Sequence, residues 1–442
     1  MVPTTPSPTA DRRWRADLVA LAVAVVVVVG SAAAGFLLNR AGGPLYADAA
    51  PLFGYWLPRV GPGTPLAIVT AGAVITWGPV LAARLPWGRL LVTGYLAGMV
   101  WTVSLALVDG WQNGIAGRLT EWTEYLHDVP RVTDIGAALR VFTDRILAGQ
   151  PDSWTVHVSG HPPGALLSYV WLDRIGLGGG AWAAVVSMSV GQLAAVAVPV
   201  TVRALAGADA ARATMPFLVL FPGAVWVGVS ADGMFTGVST TGIALLAIAA
   251  TRRGLWAACA AVSAGVLLGF ALFLSYGLVL LFPLVVVVVL WTRGARALLL
   301  AAAGVAGVVA VFAWYGFWWL DGYHLVVQRY HQGDFAQRPY EYWVFGNIGA
   351  LLLSAGPFAA VAVRRAAVDR GAAAWLVLAA TAAVLAADIS GLSKAEVERI
   401  WLPFAVWFAV GAALLPDRQR RWWLAGQAMT ALAVNHLIAT SW

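Results

Sequence analysis

The stretch LVALAVAVVVVVGSAAAGFLL, residues 18–38, decides the fold class of this chain. It is apolar throughout and contains no charged residue. A helix that crosses the hydrocarbon core of a bilayer needs about 20 mostly apolar residues, so this stretch is long enough to cross it. The whole chain of 442 residues is 60% hydrophobic and 11% charged, whereas soluble domains are about 25% charged. The sequence therefore predicts an integral membrane protein.

Similar apolar runs recur along the rest of the chain, at 64–83, 90–108, 162–177, 181–201, 214–229, 234–250, 254–274, 276–292, 297–316, 346–363, 373–389, 400–415 and 421–440. We predict an all-α polytopic helical bundle of about 11–13 spans. No composition break divides it, so we expect a tail at 1–17 and a single membrane domain at 18–442. Chain parity requires that one run between residues 161 and 230 is re-entrant, broken or merged with another, and 162–177 and 214–229 are the candidates.

Arginine clusters predict which loops lie in the cytoplasm, because cytoplasmic loops carry an excess of Lys and Arg. These clusters include Arg84 with Arg89, Arg252 with Arg253, Arg293 with Arg296, Arg364 with Arg365, and Arg418 with Arg420 and Arg421. The N-terminus is then cytoplasmic, and the first run is expected to be an uncleaved helix, since no Ala-x-Ala cleavage pattern follows it. The predicted outer loops are 39–63, 109–161, 230–233, 317–345 and 390–399.

Charge and cysteine usage exclude other classes of protein. The formal net charge of +7 is explained by membrane anchoring, and no basic segment with interleaved aromatic residues indicates a nucleic-acid partner. The single cysteine, Cys259, excludes an intrachain disulfide and a cysteine-based metal cluster.

The long outer loop 109–161 holds the densest set of polar residues. It contains Glu124-Tyr125, with Asp128 close behind, and it ends on His157 and His161-Pro-Pro-Gly. Between them, apolar and charged residues alternate over 133–149 in a pattern typical of a helix lying in the membrane interface. The carboxylates are either solvated loop residues or catalytic groups, and His161 either begins a helix ahead of proline or contacts a ligand.

This order of motifs resembles the GT-C superfamily, whose members are membrane glycosyltransferases that use polyprenyl-phosphate sugars. Protein O-mannosyltransferases and lipid A aminoarabinose transferases belong to it. Glu124-Tyr125 and His161-Pro162-Pro163 match its acidic-Tyr and His-Pro-Pro elements, although Gly164 stands where the family has Leu. The family places its acidic pair after the first span, where Asp48 lies here. Glu124 and Asp48 are therefore alternatives for the catalytic position.

Further segments are similar to actinobacterial methylthioxylosyl transferase-like membrane proteins, which decorate lipoglycans. They are FPGAVWVGVSADG at 221–233, LSYGL at 274–278, RPYEY at 338–342 and EVERIWLPF at 396–404. The resemblance implies transfer of a sugar, such as a pentose or a modified pentose like methylthioxylose, from a polyprenyl-phosphate donor. The acceptor would be a cell-wall glycan or lipoglycan, and the active site would face the outside of the cell membrane.

Inverting transfer needs a carboxylate to accept the proton of the acceptor hydroxyl and cations to neutralise the phosphate leaving group. The candidate bases are Glu124, Asp48 and Asp128. The donor phosphate is expected to contact His161, Arg399, Arg338 and Lys394, the only lysine of the chain. A divalent cation, magnesium or manganese, is plausible on Asp48 and Glu124. The substrate cavity is predicted to include Tyr125, His157, Asp232, Glu398 and Tyr340.

Several alternatives stay open at this level. Arg399 either binds phosphate through its planar fork or only pairs with Glu398, and the aromatic residues of 317–345 either stack on sugars or form an interfacial belt. A transporter or flippase for lipid-linked saccharides would show internal repeats, of which the sequence has no clear sign. A polymer ligase of the same pathway would share the lipid donor, and a scaffold protein would have no activity.

Overall fold

The computed structural model describes residues 8–228 and 230–440, with side chains described from residue 12 onward. The two strands of this part of the chain, β1 (Gly54–Trp56) and β2 (Ile438–Thr440), pair antiparallel with Gly54 opposite Thr440. Almost all other regular structure is helical. The predicted all-α polytopic class is confirmed.

The α-helices of the described residues are α1 Pro8–Arg40, α2 Thr64–Arg84, α3 Trp87–Ala106, α4 Ile135–Arg140, α5 Val156–Ser159, α6 Pro163–Arg174, α7 Gly180–Gly191, α8 Ala194–Ala206, α9 Ala208–Val219, α10 Ala224–Val227, α11 Ala231–Thr251, α12 Leu255–Leu274, α13 Phe282–Thr292, α14 Ala295–Trp314, α15 Trp319–Gln332, α16 Tyr340–Ser354, α17 Phe358–Ala366, α18 Ala372–Ile389, α19 Val397–Ile400, α20 Leu402–Ala405 and α21 Asp417–Leu437. A π-helical turn covers Gln112–Ala116. Turns of 3-10 helix cover Leu107–Asp109, Arg118–Thr120, Tyr125–His127, Val129–Arg131, Thr143–Arg145, Tyr276–Leu281, Asp334–Gln337 and Val406–Leu414.

Within the described residues, eight helical segments are long and apolar enough to cross a membrane: Arg12–Arg40, Thr64–Arg84, Trp87–Asp109, Gly180–Ala206, Ala231–Thr251, Leu255–Leu274, Ala295–Trp314 and Ala372–Ile389. A ninth is present if α16 and α17, which are bent by 102° at their junction, count as one span.

This number is lower than the predicted 11–13 because several apolar runs form short helices. Both runs expected to be broken are among them. Run 162–177 ends as the 12-residue α6. Run 214–229 is interrupted after α9, where the backbone leaves the helical conformation at Leu220 ahead of Pro222. Runs 276–292 and 400–415 also form short apolar helices.

The interfacial helix predicted over 133–149 is confined to α4, whose N-terminus is capped by Asp134 accepting a hydrogen bond from the backbone N–H of Ala137 at 2.6 Å. The chain then turns so that Phe142 is buried against Trp154 and Phe317, with ring centroids 5.3 and 5.5 Å away. Burial of Phe142 is favoured over a longer helix, which would follow the surface. A longer amphipathic helix, α15, lies in the 317–345 loop instead.

The predicted outer loops contact one another and form one end of the bundle, here called the loop end (39–63, 109–161, 317–345 and 390–399). Arg59 Nη2 donates to Asp109 Oδ2 at 3.0 Å, and the backbone N–H of Ala148 donates to Gln332 Oε1 at 2.8 Å. The opposite end, here called the arginine end, is marked by the contact of Arg365 in α17 with α1 and α21. The prediction that these four loops share one side agrees with these contacts.

Candidate functional site

Arg399 is positioned by an unusual turn at the loop end. It lies in α19, which follows two non-glycine residues with positive φ, Ala395 at 69° and Glu396 at 63°. Such strained backbone persists only where surrounding contacts hold it, and here Asn347 Oδ1 accepts a hydrogen bond from the backbone N–H of Ala395 at 3.2 Å. The turn brings Glu396 Oε2 to 2.8 Å from Arg399 Nη2.

The guanidinium of Arg399 is buried and joins three segments of the chain. Its Nη1 donates to Asp232 Oδ2 at 2.7 Å, and its Nη2 lies 3.0 Å from His157 Nε2. Asp232 is in the first turn of α11, where the helix dipole favours a carboxylate. Burial alone would lower the pKa of Arg399, but the carboxylates of Asp232 and Glu396 raise it above its usual value. Arg399 therefore stays charged and is matched by carboxylates of the protein.

The contacts of His157 define its tautomer. Its Nδ1 lies 3.0 Å from the carbonyl oxygen of Thr123, which can only accept, so Nδ1 carries the hydrogen. Its Nε2 then has a lone pair that accepts from Arg399. Glu124 Oε1 lies 3.3 Å from the same Nδ1, and the Glu124 residue is 4% exposed. Glu124, His157, Arg399 and Asp232 thus form a continuous buried series, here called the polar chain.

His161 and Tyr125 pack beside the polar chain. His161 Nδ1 lies 2.8 Å from the carbonyl oxygen of His157 and so carries a hydrogen, which leaves Nε2 as an acceptor. Burial lowers the pKa of His161 to about 4, so the ring is neutral at neutral pH. Burial, Asp232 and Glu124 together raise the pKa of Tyr125 well above its usual value, so its hydroxyl stays protonated. His161 therefore offers a hydrogen-bond acceptor here and carries no positive charge for the phosphate contact predicted from the sequence.

Two of the cations expected at the donor phosphate hold loops together in the structure. Arg338 is 3% exposed and donates to the carbonyl oxygens of Leu45 and Tyr46 at 3.1 Å each and to that of Lys394 at 2.5 Å. Lys394 Nζ donates to the carbonyl oxygens of Ala336 and Arg338 at 2.9 and 2.8 Å. These contacts engage both cations with backbone atoms.

Glu398 forms a hydrogen bond with the backbone of the first outer loop, at Phe53. Its side chain is fully buried, and Oε1 accepts from the backbone N–H of Phe53 at 2.8 Å. Burial raises the pKa of Glu398 to about 7. Its Oε2 has no hydrogen-bond partner among the described residues, which suits a carboxyl that carries a proton. No ion pair joins Glu398 to Arg399; within the described chain, the acidic partners of Arg399 are Asp232 and Glu396.

Within the described part of the chain, three predicted site residues, Asp128, Asp48 and Tyr340, make no hydrogen bond or ion pair with the residues of the polar chain. Asp128 is buried, and its two oxygens accept from Arg131 Nη1 at 2.5 Å and from the backbone N–H and hydroxyl of Thr155 at 2.8 Å each. Asp48 is exposed in the loop after α1. Tyr340 is 39% exposed, with its hydroxyl 3.5 Å from the carbonyl oxygen of Ile389. Asp128 thus stabilises its own loop.

The metal site suggested by Asp48 and Glu124 stays a prediction. In the described part of the chain, no group of three or more His, Cys, Asp or Glu residues is close enough to hold a metal ion.

The predicted site residues did not include Glu396 and Arg329, which the structure places beside them. Arg329 lies on α15, and its Nε is 3.4 Å from the hydroxyl of Ser159, between His157 and His161 in sequence. Its Nη1 and Nη2 make no hydrogen bond or ion pair with another described residue. Partial burial lowers the pKa of Arg329. The amphipathic pattern of residues 319–332 could have pointed to Arg329. Nothing in the sequence indicates the positive φ of Glu396.

No protein-family model and no curated protein matches this chain. Among solved structures, the chain is similar to ArnT from Cupriavidus metallidurans bound to undecaprenyl phosphate, with 17% identity, a TM-score of 0.47, and coverage of 79% of this chain and 63% of that one. It is also similar to the apo state of the same protein, with 18% identity, a TM-score of 0.40, and coverage of 63% and 54%. The chain thus covers less than two thirds of either structure. We infer function from the site residues.

Proposed function

We propose that this protein is a membrane glycosyltransferase that moves one sugar from a polyprenyl-phosphate donor to a hydroxyl group of a cell-envelope glycan or lipoglycan. The observation that carries the proposal is the polar chain, in which a buried carboxylate is oriented by a neutral histidine that a buried arginine holds in turn. The motif order Glu124-Tyr125 and His161-Pro-Pro points to the same class. A pentose or a modified pentose is the proposed sugar.

Glu124 is the proposed general base. The acceptor oxygen forms a bond to the anomeric carbon and its proton passes to Glu124, while the bond from that carbon to the phosphate oxygen breaks and the lipid phosphate leaves as an anion. Attack opposite the leaving group inverts the anomeric centre. His157 donates its Nδ1 hydrogen to the carbonyl oxygen of Thr123, which holds the ring 3.3 Å from Glu124 Oε1. His161 Nε2 can accept a hydrogen bond from a sugar hydroxyl. Asp48 is the rival base, since it is exposed on a neighbouring loop.

Arg329 is the proposed contact for the donor phosphate. Arg399 already faces Asp232 and Glu396, whereas Nη1 and Nη2 of Arg329 make no hydrogen bond or ion pair with a described residue. A guanidinium can hold two phosphate oxygens at once, and α15 is amphipathic, as is typical of helices at the bilayer surface. Lipid phosphates lie at that depth.

The proposal includes a divalent cation, magnesium or manganese, on a carboxylate such as Glu124 or Asp48. Magnesium is commonly held by one or two carboxylates together with substrate phosphates. Bound there, it would neutralise negative charge on the phosphate. The described side chains do not form a complete site, so no step is assigned to it.

The loop end is proposed to face the outside of the cell membrane and the N-terminus the cytoplasm, because the arginine clusters lie at the opposite end. The test is labelling of intact cells with an impermeant thiol reagent in a Cys259→Ala background. We expect Gln150→Cys to be labelled and Arg252→Cys to be protected. Labelling at position 252 alone would reverse the orientation.

The activity is tested in liposomes that contain the purified protein, undecaprenyl-phosphate donors with a radiolabelled pentose or hexose, and an envelope lipoglycan extract. We expect single labelled sugars to appear on the lipoglycan, and none with Glu124→Gln. Two other outcomes contradict the proposal. Label that stays on the lipid but crosses the bilayer indicates a flippase, and transfer of a preassembled oligosaccharide indicates a polymer ligase.

A further inference from the structure

The arginine end contains a second buried network, built around Asp17 of α1. Asp17 is fully buried; its Oδ1 accepts from Arg364 Nη1 at 2.8 Å, and its Oδ2 accepts from Arg365 Nη2 at 2.5 Å. Arg365 also donates to the carbonyl oxygen of Leu414 at 2.5 Å and to Gln419 Oε1 at 2.8 Å. These contacts, here called the arginine network, fix α1, α17 and α21 against one another.

A cavity of about 490 Å³ opens beside the arginine network. Its walls include Arg13, Arg365, Arg418, Gln419 and the apolar turn at 413–416. Arg365 is engaged as described above. Arg13 and Arg418 are exposed, and neither guanidinium makes a hydrogen bond or ion pair with another described side chain. The cavity therefore presents two exposed cations on a frame that a buried ion pair holds in place.

The surroundings of the cavity are strongly positive. Arg12, Arg15 and Arg421 add charge on the same two helix ends. Among the side chains that the structure describes, the acidic residues of these ends are Asp17, which pairs with Arg364 and Arg365, and Asp417, which pairs with Arg420. The sequence adds one more acidic residue, Asp11, and the basic residues still outnumber the acidic ones. An anion is the ligand that complements this charge.

The position of the cavity indicates which anion it fits. The α1 helix continues from it with an exposed apolar side, where Val19 and Val26 are 63% and 69% exposed. Trp14 packs edge-on against Trp423 at 6.0 Å, and the neighbouring Trp422 is 76% exposed. Tryptophans are enriched at the level of lipid headgroups. The cavity thus joins a charged rim to an apolar surface, as a phospholipid requires.

We propose that this cavity binds the phosphate headgroup of an anionic phospholipid in the leaflet opposite the candidate active site. Arg13 and Arg418 hold the phosphate oxygens, and the acyl chains lie along the exposed face of α1. Basic pockets between membrane helices at the cytoplasmic side are suited to anionic headgroups. The proposal does not depend on the glycosyl transfer proposed above.

The test measures binding of phosphatidylglycerol to the purified full-length protein in detergent, by native mass spectrometry. The Arg13→Gln/Arg418→Gln variant should bind it about tenfold more weakly or worse, since each basic residue near an anionic lipid surface contributes about 1 kcal/mol. The matched control, Arg252→Gln/Arg253→Gln, removes the same charge from an exposed pair at the same end and should change binding less than twofold. Melting temperature in phosphatidylcholine confirms folding of both variants.

Three results would overturn the proposal. An equal loss in both double variants would mean that only the overall charge attracts the lipid. Equal binding of phosphatidylcholine would remove the requirement for an anionic headgroup. Displacement of phosphatidylglycerol by inorganic phosphate at the same concentration would indicate a site for free phosphate.

Discussion

The two ends of the molecule hold buried ion networks of opposite balance. In the arginine network, one carboxylate, Asp17, is shared by two arginines. In the polar chain, one arginine, Arg399, is shared by Asp232 and Glu396 and reaches Glu124 through His157. Arg365 of the arginine network and Arg399 of the polar chain are buried to a similar extent, at 6% and 5% exposure. The difference lies in what surrounds them.

This difference in composition suits the arginine network to holding helices together and the polar chain to transferring protons. The arginine network is made of a carboxylate, guanidinium groups and an amide, all of which hold helix ends together. The polar chain adds His157, and Tyr125 and His161 lie against it, over a backbone turn with two positive-φ residues. General acid–base catalysis uses histidines and carboxylates in such positions. We infer that only the loop end is arranged for chemistry, and the predictions below test this contrast.

The largest expected effect is that of Glu124→Gln on transfer. The variant keeps the shape of the side chain but removes the proton acceptor, so the rate should fall about 100-fold or more. Asp48→Asn is the matched control at the rival position and should leave the rate within a few-fold. Rates are measured with the labelled donor in liposomes. A large loss in Asp48→Asn with a normal rate in Glu124→Gln would transfer the role of base to Asp48.

The second prediction compares the two central arginines. Arg399→Lys and Arg365→Lys each replace a fork that spans several partners with a point charge. Each should lower the free energy of unfolding by about 1.5–3 kcal/mol, the typical loss for a hydrogen bond to a charged group. Only Arg399→Lys should also slow transfer by the folded protein, because it alone supports His157. Denaturant unfolding followed by tryptophan fluorescence gives the stabilities, and equal activity losses would remove the contrast between the two ends.

The third prediction concerns the cation on α15. Arg329→Gln should raise the donor KM about tenfold, the lower limit for losing a charged hydrogen bond of about 1.5–3 kcal/mol. The melting temperature should stay unchanged, because among the described residues the only hydrogen bond of its guanidinium is the long one to the hydroxyl of Ser159, at 3.4 Å. Arg140→Gln, an exposed arginine of the 109–161 loop, serves as the control for charge. An unchanged KM in Arg329→Gln would exclude Arg329 as the phosphate contact.

The sequence predicted the architecture better than the role of each cation. Apolar runs identify helices because a bilayer accepts little else, and six predicted site residues lie in or against the polar chain: Glu124, Tyr125, His157, His161, Asp232 and Arg399. The number of spans was overestimated because local breaks, such as the one after Val219, depend on packing as well as on apolar content.

The roles of Arg338 and Lys394 could not be read from the sequence. Whether a cation is available to a ligand depends on which carbonyl groups the fold places around it, and those of Leu45 and Tyr46 come from a distant loop. The same reasoning explains Arg329, which resembles any other arginine of an amphipathic helix until its neighbours are known. Burial makes a partner obligatory for Asp232, and the structure supplies Arg399 as that partner, while the chemical role of both residues stays a prediction.

The smallest expected effect concerns the pH dependence of stability, in which the contributions of Glu398 and His161 at the loop end cancel. The pKa of Glu398 is raised from 4.5 to about 7, so its contribution to stability is complete below pH 4.5 and is lost as the pH rises through 7. The pKa of His161 is lowered from 6.5 to about 4, so its contribution is complete above pH 6.5 and is lost as the pH falls through 4. Between pH 4.5 and 6.5 the two slopes oppose each other, and the melting temperature of the wild-type protein should change little from these two groups.

Single substitutions should expose the two slopes separately. In Glu398→Gln the contribution of His161 remains, so the melting temperature should rise from pH 4.5 to pH 6.5 relative to wild type. In His161→Gln the contribution of Glu398 remains, so it should fall over the same interval. The double variant should return to the wild-type slope, because both contributions are then absent. Thermal unfolding in detergent at closely spaced pH values gives the four profiles. If both single variants keep the wild-type slope, neither group has a shifted pKa in the folded protein, and burial of the His161 ring would not be what holds it neutral.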